Sequence, residues 1–479
     1  MLRTQYRVVG ANTVKFGRAG RALWPFVALG TTLAGSRPLL ADSKEPPLLL
    51  GGPAPKAPRT ITTDPRLPTG APFAASDRPA ATTRACSFEQ PVCVHAAPDV
   101  ATVRITEALG SLERSFGRLV DALALPRPLP DGGRGGSDAL DLYLLPPDRV
   151  TPGYERVRVV GEALRAGGFD AAPAFCTAMA DDAALLERAA TLCTGEAIAL
   201  GLDPAETPHL RRAFATELWW MTGPLTSFDY EAIDLVQRKP TSALAARELS
   251  PTSEGSALLF EYLEERLGVG APGELSLALL SASAQNTPAT ARSWYNEPDL
   301  FDVLRHTLEE SEQRMAGLLG DLGVARAFLG DREDGAHLPA LAWSGRFGAP
   351  KFDWVIPFST LPRRVRVTPP EPTGAVLIWL DLASAPAGVP LGFQAEWEPP
   401  AQFQWSLVRV GADGSELGRL EVPFQQRETQ CEARLVDLKG AAAIIAVGAH
   451  LERVDVAQPF DPDVAPFEPH GALVYFVEL

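Results

Sequence analysis

The stretch TPHLRRAFATELWWMTG, residues 207–223, decides how the rest of the chain is read. Thr207 is a good N-cap and Pro208 a good first helical residue, and Gly223-Pro224 closes the segment, so a helix is predicted between them. At ~100° per residue, Leu210, Ala213, Phe214, Leu218, Trp220 and Met221 share one side with Glu217 at its centre. Arg211, Arg212, Ala215 and Trp219 fall opposite. A carboxylate on an apolar face needs a cation, a metal or a proton, because burying it ionised and unpaired is costly. An Arg from elsewhere in the core would meet that need, and so would a catalytic or metal-site role.

Working outward, helical periodicity dominates residues 96–348. DVATVRITEALGSLERSFGRLVDAL (99–123) reads as one amphipathic helix. SPTSEGSALLFEYLEERLG (250–268), DLFDVLRHTLEES (299–311) and RMAGLLGDLGVARAFLG (314–330) read as further helices. DALDLYLLPP (138–147) reads as a buried strand with a Pro-Pro stop, and TGEAIALGLD (194–203) as another strand. LPDGGRGGSD (129–138) reads as a surface loop. Glu254, Glu261 and Glu265 fall on one face of their helix, which suits a solvated stripe.

ATELWW, 215–220, resembles the HExxH helix of secreted gluzincin-type zinc metallopeptidases. In that motif two His at i and i+4 bind zinc, and the Glu after the first acts as general base. Laid over it, Thr216 takes the first His position, Glu217 the base position and Trp220 the second His position. SEGSA, 253–257, resembles the family's EGxA setting, which puts Glu254 at the third-ligand position. DLYLL and AIALGL resemble strands of the family's sheet. The resemblance implies a zincin-like α+β domain over 96–348 in which Glu217 and Glu254 face one cleft lined by Thr216 and Trp220. Both ligand His are absent. Thr is a poor zinc ligand and Trp is none, so one carboxylate remains of the usual three ligands. The expectation is a pseudopeptidase without zinc or other cofactor, with Glu217 and Glu254 vestigial. The alternative, an active metallopeptidase with non-standard ligands, would hold zinc.

From residue 349 the pattern changes. AVLIWLDL (375–382), LGFQAEWE (391–398), FQWSLVRVG (403–411), LGRLEVPF (417–424), EARLVDL (432–438), AAAIIAVG (441–448) and ALVYFVEL (472–479) are short apolar or alternating runs separated by turn residues. They predict an antiparallel β-sandwich over 349–479. A sandwich carrying an exposed aromatic strip would suit an envelope adhesion or glycan-binding protein; Trp397 and Trp405 are candidates, with core packing as their other role.

At the other end, residues 1–41 carry Arg3, Arg7, Lys15, Arg18, Arg21 and Arg37 and no acid, then the apolar run ALWPFVALGTTLAG and the small-residue exit PLLADS. That order resembles a secretory signal peptide, and the run is short for a membrane span. No stable span is therefore expected after cleavage, and the mature protein is expected outside the cytoplasm. Residues 42–95 read as a Pro- and Ala-rich linker with a small Cys loop.

Five Cys fit an exported protein. CSFEQPVC brings Cys86 and Cys93 close enough for a loop disulfide, and Cys176 and Cys193 make a second plausible pair. Spacing alone leaves the connectivity open; the expected pairs are Cys86–Cys93 and Cys176–Cys193, with Cys431 free.

The chain of 479 residues has formal charge −15, which disfavours nucleic acid as a partner. A protein, peptide or glycan ligand is expected instead. His209 begins the central helix, where a His is usually solvated; His95, His306, His337, His450 and His470 are scattered, and no HxH or HxxxH pair exists. There is no GxSxG elbow and no P-loop. Asp461, Asp463 and Glu468 in the loop 459–471 could hold calcium, although its prolines suit a rigid surface loop better. GDREDGAH, 330–337, reads as a polar turn.

Overall fold

The computed structural model describes residues 61–62, 78–146, 157–162, 171–180, 183–204, 206–246, 249–268, 270–284, 293–294, 298–308, 312–344, 347–386, 388–399, 401–423, 428–451 and 470–479. The leader, most of the linker and the calcium candidates Asp461, Asp463 and Glu468 lie outside them. All described residues belong to one compact unit, Asp42–Leu479.

In chain order the first half comprises β1 (Ile61–Thr62), β2 (Thr83–Cys86), β3 (Val92–Ala96), α1 (Thr102–Phe116), β4 (Leu140–Leu145), β5 (Val157–Gly161), β6 (Ala174–Met179), α2 (Ala183–Leu202), α3 (Pro208–Thr222), α4 (Ser227–Gln237), α5 (Ala257–Leu267), α6 (Glu274–Ser283), β7 (Ser293–Trp294), α7 (Leu300–Thr307) and α8 (Glu312–Ala327). A π-helical turn, Gly117–Ala122, extends α1. The second half is strands apart from a 3-10 turn at Phe358–Thr360: β8 (Trp354–Pro357), β9 (Arg363–Arg366), β10 (Ala375–Asp381), β11 (Leu391–Trp397), β12 (Phe403–Gly411), β13 (Glu416–Glu421), β14 (Gln430–Leu435), β15 (Ala441–His450) and β16 (Ala472–Glu478).

The first half is built on a mixed sheet in the order β2-β3-β4-β6-β5. β3, β4 and β6 are parallel, and β2 and β5 flank them antiparallel. Alternation sends Val92, Val94, Leu140, Leu142, Leu144, Ala174 and Cys176 to the helix-covered side, where one continuous core runs through α1, α2, α3 and α5. Both expected disulfides are present. Cys86–Cys93 closes the β2–β3 hairpin across one register pair, and Cys176–Cys193 ties β6 to α2. Cys431 is free and half-buried in β14. Among the described residues no helix is long and apolar enough to cross a membrane; even α2, with 20 residues, carries Glu187, Arg188 and Glu196.

Several sequence expectations change here. AIALGL is not a strand but the last turns of α2. α2 lies between the sheet and α3, so its apolar residues are buried on more than one side and it shows no one-sided stripe. The boundary drawn at 95/96 cuts through β3, and the Cys loop placed in the linker is the β2–β3 hairpin of the sheet. α4 and α6 were not anticipated.

All seven predicted C-terminal runs are strands, arranged as two facing sheets: β13-β12-β15-β10-β8 and β14-β11-β16-β9. One pair departs from the antiparallel expectation, β8 running parallel to β10. Trp405 and Phe476 are fully buried between the sheets. The outer face of the first sheet is not solvated. Leu377, Val408, Val410, Ala443, Ile445 and Val447 pack against Val324, Ala327 and Phe328 of α8 and the residue after it.

Candidate functional site

α3 starts as its sequence demands: the Thr207 hydroxyl accepts from the Leu210 N–H at 3.3 Å, with Pro208 in the first turn. It ends at Gly223, where a Cβ would lie 2.2 Å from the Trp219 ring. Residues His209 to Trp220 are all buried. The face opposite Glu217 is thus as dry as its own, because α2 covers one flank and α5 the other.

Arg212 and Glu217 sit in separate polar clusters. Arg212 donates to Glu196 of α2, to Glu254 Oε1 at 3.1 Å and to the Val157 carbonyl of β5 at 2.7 Å. Arg188 of α2 donates to Glu254 Oε2 at 2.7 Å and to Asp229 Oδ1 at 3.0 Å. Asp229, at the start of α4, also accepts from the indoles of Trp219 (3.0 Å) and Trp220 (3.3 Å) and from the Thr226 N–H and hydroxyl (2.7 Å each). Burial acts against the charged form of Glu254, yet Arg188 and Arg212 hold its pKa below the ordinary carboxylate range. For Glu196, burial outweighs Arg212 and the pKa is raised. The pKa values of both arginines are raised by these carboxylates against the effect of burial. The backbone is pressed close as well: a Cβ on Gly255 would lie 2.2 Å from the Ala232 carbonyl of α4. On either side of Glu254, Ser253 and Ser256 clasp His209, at 2.9 Å to Nδ1 and 2.7 Å to Nε2. His209 is therefore a buried brace for SEGSA, not a solvated helix start.

Glu217 has a different surrounding. Its Oε1 accepts from Ser276 of α6 at 3.2 Å, and its Oε2 is buried with no hydrogen-bond partner among the described residues. Burial raises its pKa well above 4.5, the charges of Glu264 and Glu261 add to that, and Ser276 opposes it. Burial and the neighbouring carboxylates thus favour the protonated form of Glu217 over the carboxylate. Glu261 is 8% exposed, not part of a solvated stripe. Burial, with Glu265 and Glu264 beside it, pushes its pKa up to about 7.

The expected cleft shared by Glu217 and Glu254 is not what these contacts describe, since Glu254 turns to two arginines and Glu217 to Ser276. The Thr216 hydroxyl donates to the Arg212 carbonyl at 2.8 Å, and the Trp220 indole to Asp229. These residues do not fit a zinc ion. Two are engaged as donors, and both oxygens of the third already carry a guanidinium. No group of three or more His, Cys, Asp or Glu among the described residues is arranged to hold a metal.

Two further polar clusters were not anticipated. On the sheet face away from the helices, Arg78 pairs with Asp131, Asp141 and Glu162, and His95 Nε2 lies 2.8 Å from Asp141 Oδ1. In the stretch read as a polar turn, His337 stacks on Phe328 at 4.5 Å and places Nδ1 3.0 Å from Asp334 and Nε2 2.9 Å from Glu416 of β13. Arg419 grips Glu416 through two bonds of 2.9 Å and reaches Asp321 of α8 at 2.7 Å. Burial disfavours the His337 cation, but the two carboxylates raise its pKa; Glu416, held by His337 and Arg419 against the effect of burial, falls to about 2.

No family model matches the chain, and no curated protein matches it. Among solved structures, the chain is similar to the pre-peptidase C-terminal domain of a collagenase from Bacillus anthracis, at 10% identity and a TM-score of 0.18, over 26% of this chain and 94% of that one. At that TM-score the likeness carries no argument.

Proposed function

We propose that the chain is an exported, catalytically inactive metallopeptidase-like protein with a binding or structural role outside the cytoplasm. The observation that carries this reading is the bonding of Glu254. The residue at the third-ligand position is neutralised by Arg188 and Arg212, at 2.7 and 3.1 Å. A divalent cation placed on the same carboxylate would face two fixed positive charges in a dry interior. At the base position, burial and the charges of Glu264 and Glu261 raise the pKa of Glu217 and favour its protonated form, which opposes action as a base. The order of elements, a mixed sheet followed by a helix bearing Thr216-Glu217 and a later helix entered through SEGSA, supports the metallopeptidase-like part. The two disulfides support export. Trp397 and Trp405, the two Trp that would serve the glycan-binding alternative, are buried in the sandwich.

Metal analysis of the purified mature protein, with a casein-cleavage assay with and without chelator, tests the proposal. Less than 0.1 equivalent of zinc per chain, roughly a trace level for a structural or catalytic site, and no chelator-sensitive cleavage are expected. Stoichiometric zinc would overturn it in favour of an active enzyme with other ligands.

A further inference from the structure

The two edge strands on one side of the sandwich, β8 and β9, carry a chemistry at odds with the rest of the chain. Between Trp354 and Pro370 there is no Asp or Glu, and β9 holds Arg363, Arg364 and Arg366, all exposed, in a protein of net charge −15. The acids bordering this stretch are already engaged. Asp353 accepts from the Thr368 N–H (2.8 Å) and hydroxyl (2.6 Å), and Glu371 accepts from the Ala243 N–H at 2.8 Å. Among the described residues, Glu396 alone answers one of the three arginines, Arg364, at 2.9 Å.

The backbone of β9 is open on the same side. Val367 donates to the Ala472 carbonyl at 3.0 Å, so by the alternation of an antiparallel pair Val365 also faces β16, while Arg364 and Arg366 turn their N–H and C=O groups outward. β9 is the last strand of its sheet among the described residues. Of the outward groups, the Arg366 carbonyl is covered by the Trp354 indole at 2.9 Å. Trp354 is 37% exposed and Val355 beside it 64%. Charged residues on an edge strand also guard against self-pairing. That role needs charge of either sign, and it does not explain an acid-free stretch flanked by an exposed Trp in an acidic protein.

From this edge we infer that β9 is a docking site for an extended acidic segment of a partner protein, which adds to the sheet as a further strand. Its backbone would pair with the outward groups of Arg364 and the Arg366 N–H. Its alternate carboxylates would meet Arg364 and Arg366 on the outer face, where a guanidinium can hold a carboxylate through two bonds. Nucleic acid would bring the same charge, but its backbone has no amide groups to pair with the outward N–H and C=O groups of β9. The site goes beyond the function proposed above and stands whether or not the helical half is an enzyme.

The test is fluorescence anisotropy with the full chain and a labelled (Glu-Val)4 peptide, with (Lys-Val)4 and (Glu-Pro)4 as comparisons. Saturable binding of (Glu-Val)4 alone is expected, weakening as salt rises. Arg364→Glu with Arg366→Glu should weaken it at least tenfold. Arg366→Pro removes one outward N–H at a place where an edge strand tolerates proline, and should weaken binding more than Arg366→Gln. Circular dichroism of each variant establishes that it is folded, and single Arg→Gln variants carry the test if the double one is not. No saturable binding would overturn the proposal, as would binding unchanged by charge reversal. Equal binding by the Pro and Gln variants, or tighter binding of oligo-dT or anionic vesicles through the same arginines, would overturn it too.

Discussion

Replacing Glu261 by Gln should make the protein more stable at neutral pH, and the gain should itself depend on pH. Glu261 is 8% exposed on α5. Burial, then the charges of Glu265 and Glu264, raises its pKa from 4.5 to about 7 in the folded state. A carboxyl with a raised folded pKa favours the folded chain fully below its unfolded value, and that advantage is lost as pH rises through the folded value. Between pH 4.5 and about 7 the wild type should therefore lose about 1.4 kcal/mol for each pH unit from this residue. The accumulated loss is about 3 kcal/mol at pH 7 and above. The amide of Gln occupies nearly the same volume and never ionises. Urea unfolding of the two proteins at pH 4.5, 6 and 7.5 should give curves that diverge steadily, with the variant ahead at the highest pH. Parallel pH profiles would refute the reasoning, because they would mean that Glu261 titrates alike in the folded and unfolded chain.

Arg188→Met should destabilise the fold by about 3–5 kcal/mol, since it leaves Asp229 in the core with neutral donors and Glu254 with Arg212 as its cation; chemical denaturation reads this directly, and a change under about 1 kcal/mol would mean the pair is solvated. His337 acts in the direction of a cation gaining partners: its pKa is raised, so its contribution is complete below pH 6.5 and lost as pH rises through the folded value. The difference in melting temperature between wild type and His337→Gln should accordingly shrink on the alkaline side, and a difference constant from pH 5 to 9 would exclude the ion pairs with Asp334 and Glu416.

Local chemistry made some of this legible in advance. Thr207, Pro208 and Gly223 bound α3 through their own backbone preferences, and most of the runs after residue 374 became strands because they bury at least one face, while β13, with Leu417 and Leu420 exposed, is held by its pairing with β12. α2 was misread because the cue for a surface helix is a one-sided stripe, and Ala197, Ile198, Ala199 and Leu200 are all buried. In the site, Glu217 and Glu254 stood out as acids in apolar company, but their partners did not. Arg188 lies 66 residues before Glu254, and Ser276 lies 59 after Glu217. No periodicity within a helix reports contacts made between helices. His337 was passed over for the same reason, because Glu416 reaches it from a different half of the fold.

α8 has a consequence for how this protein can be divided. Met315, Leu319, Leu322 and Ala325 belong to the core of the helical half, while Val324 and Ala327 on the same helix belong to the contact with the sandwich. A gene cut at residue 348 would leave Phe328 and its neighbours bare on one product and Leu377, Ile445 and Val447 bare on the other. Neither fragment would be an independent module that recombination could carry to another protein unaltered. The two halves are heritable only together, with α8 as their common wall.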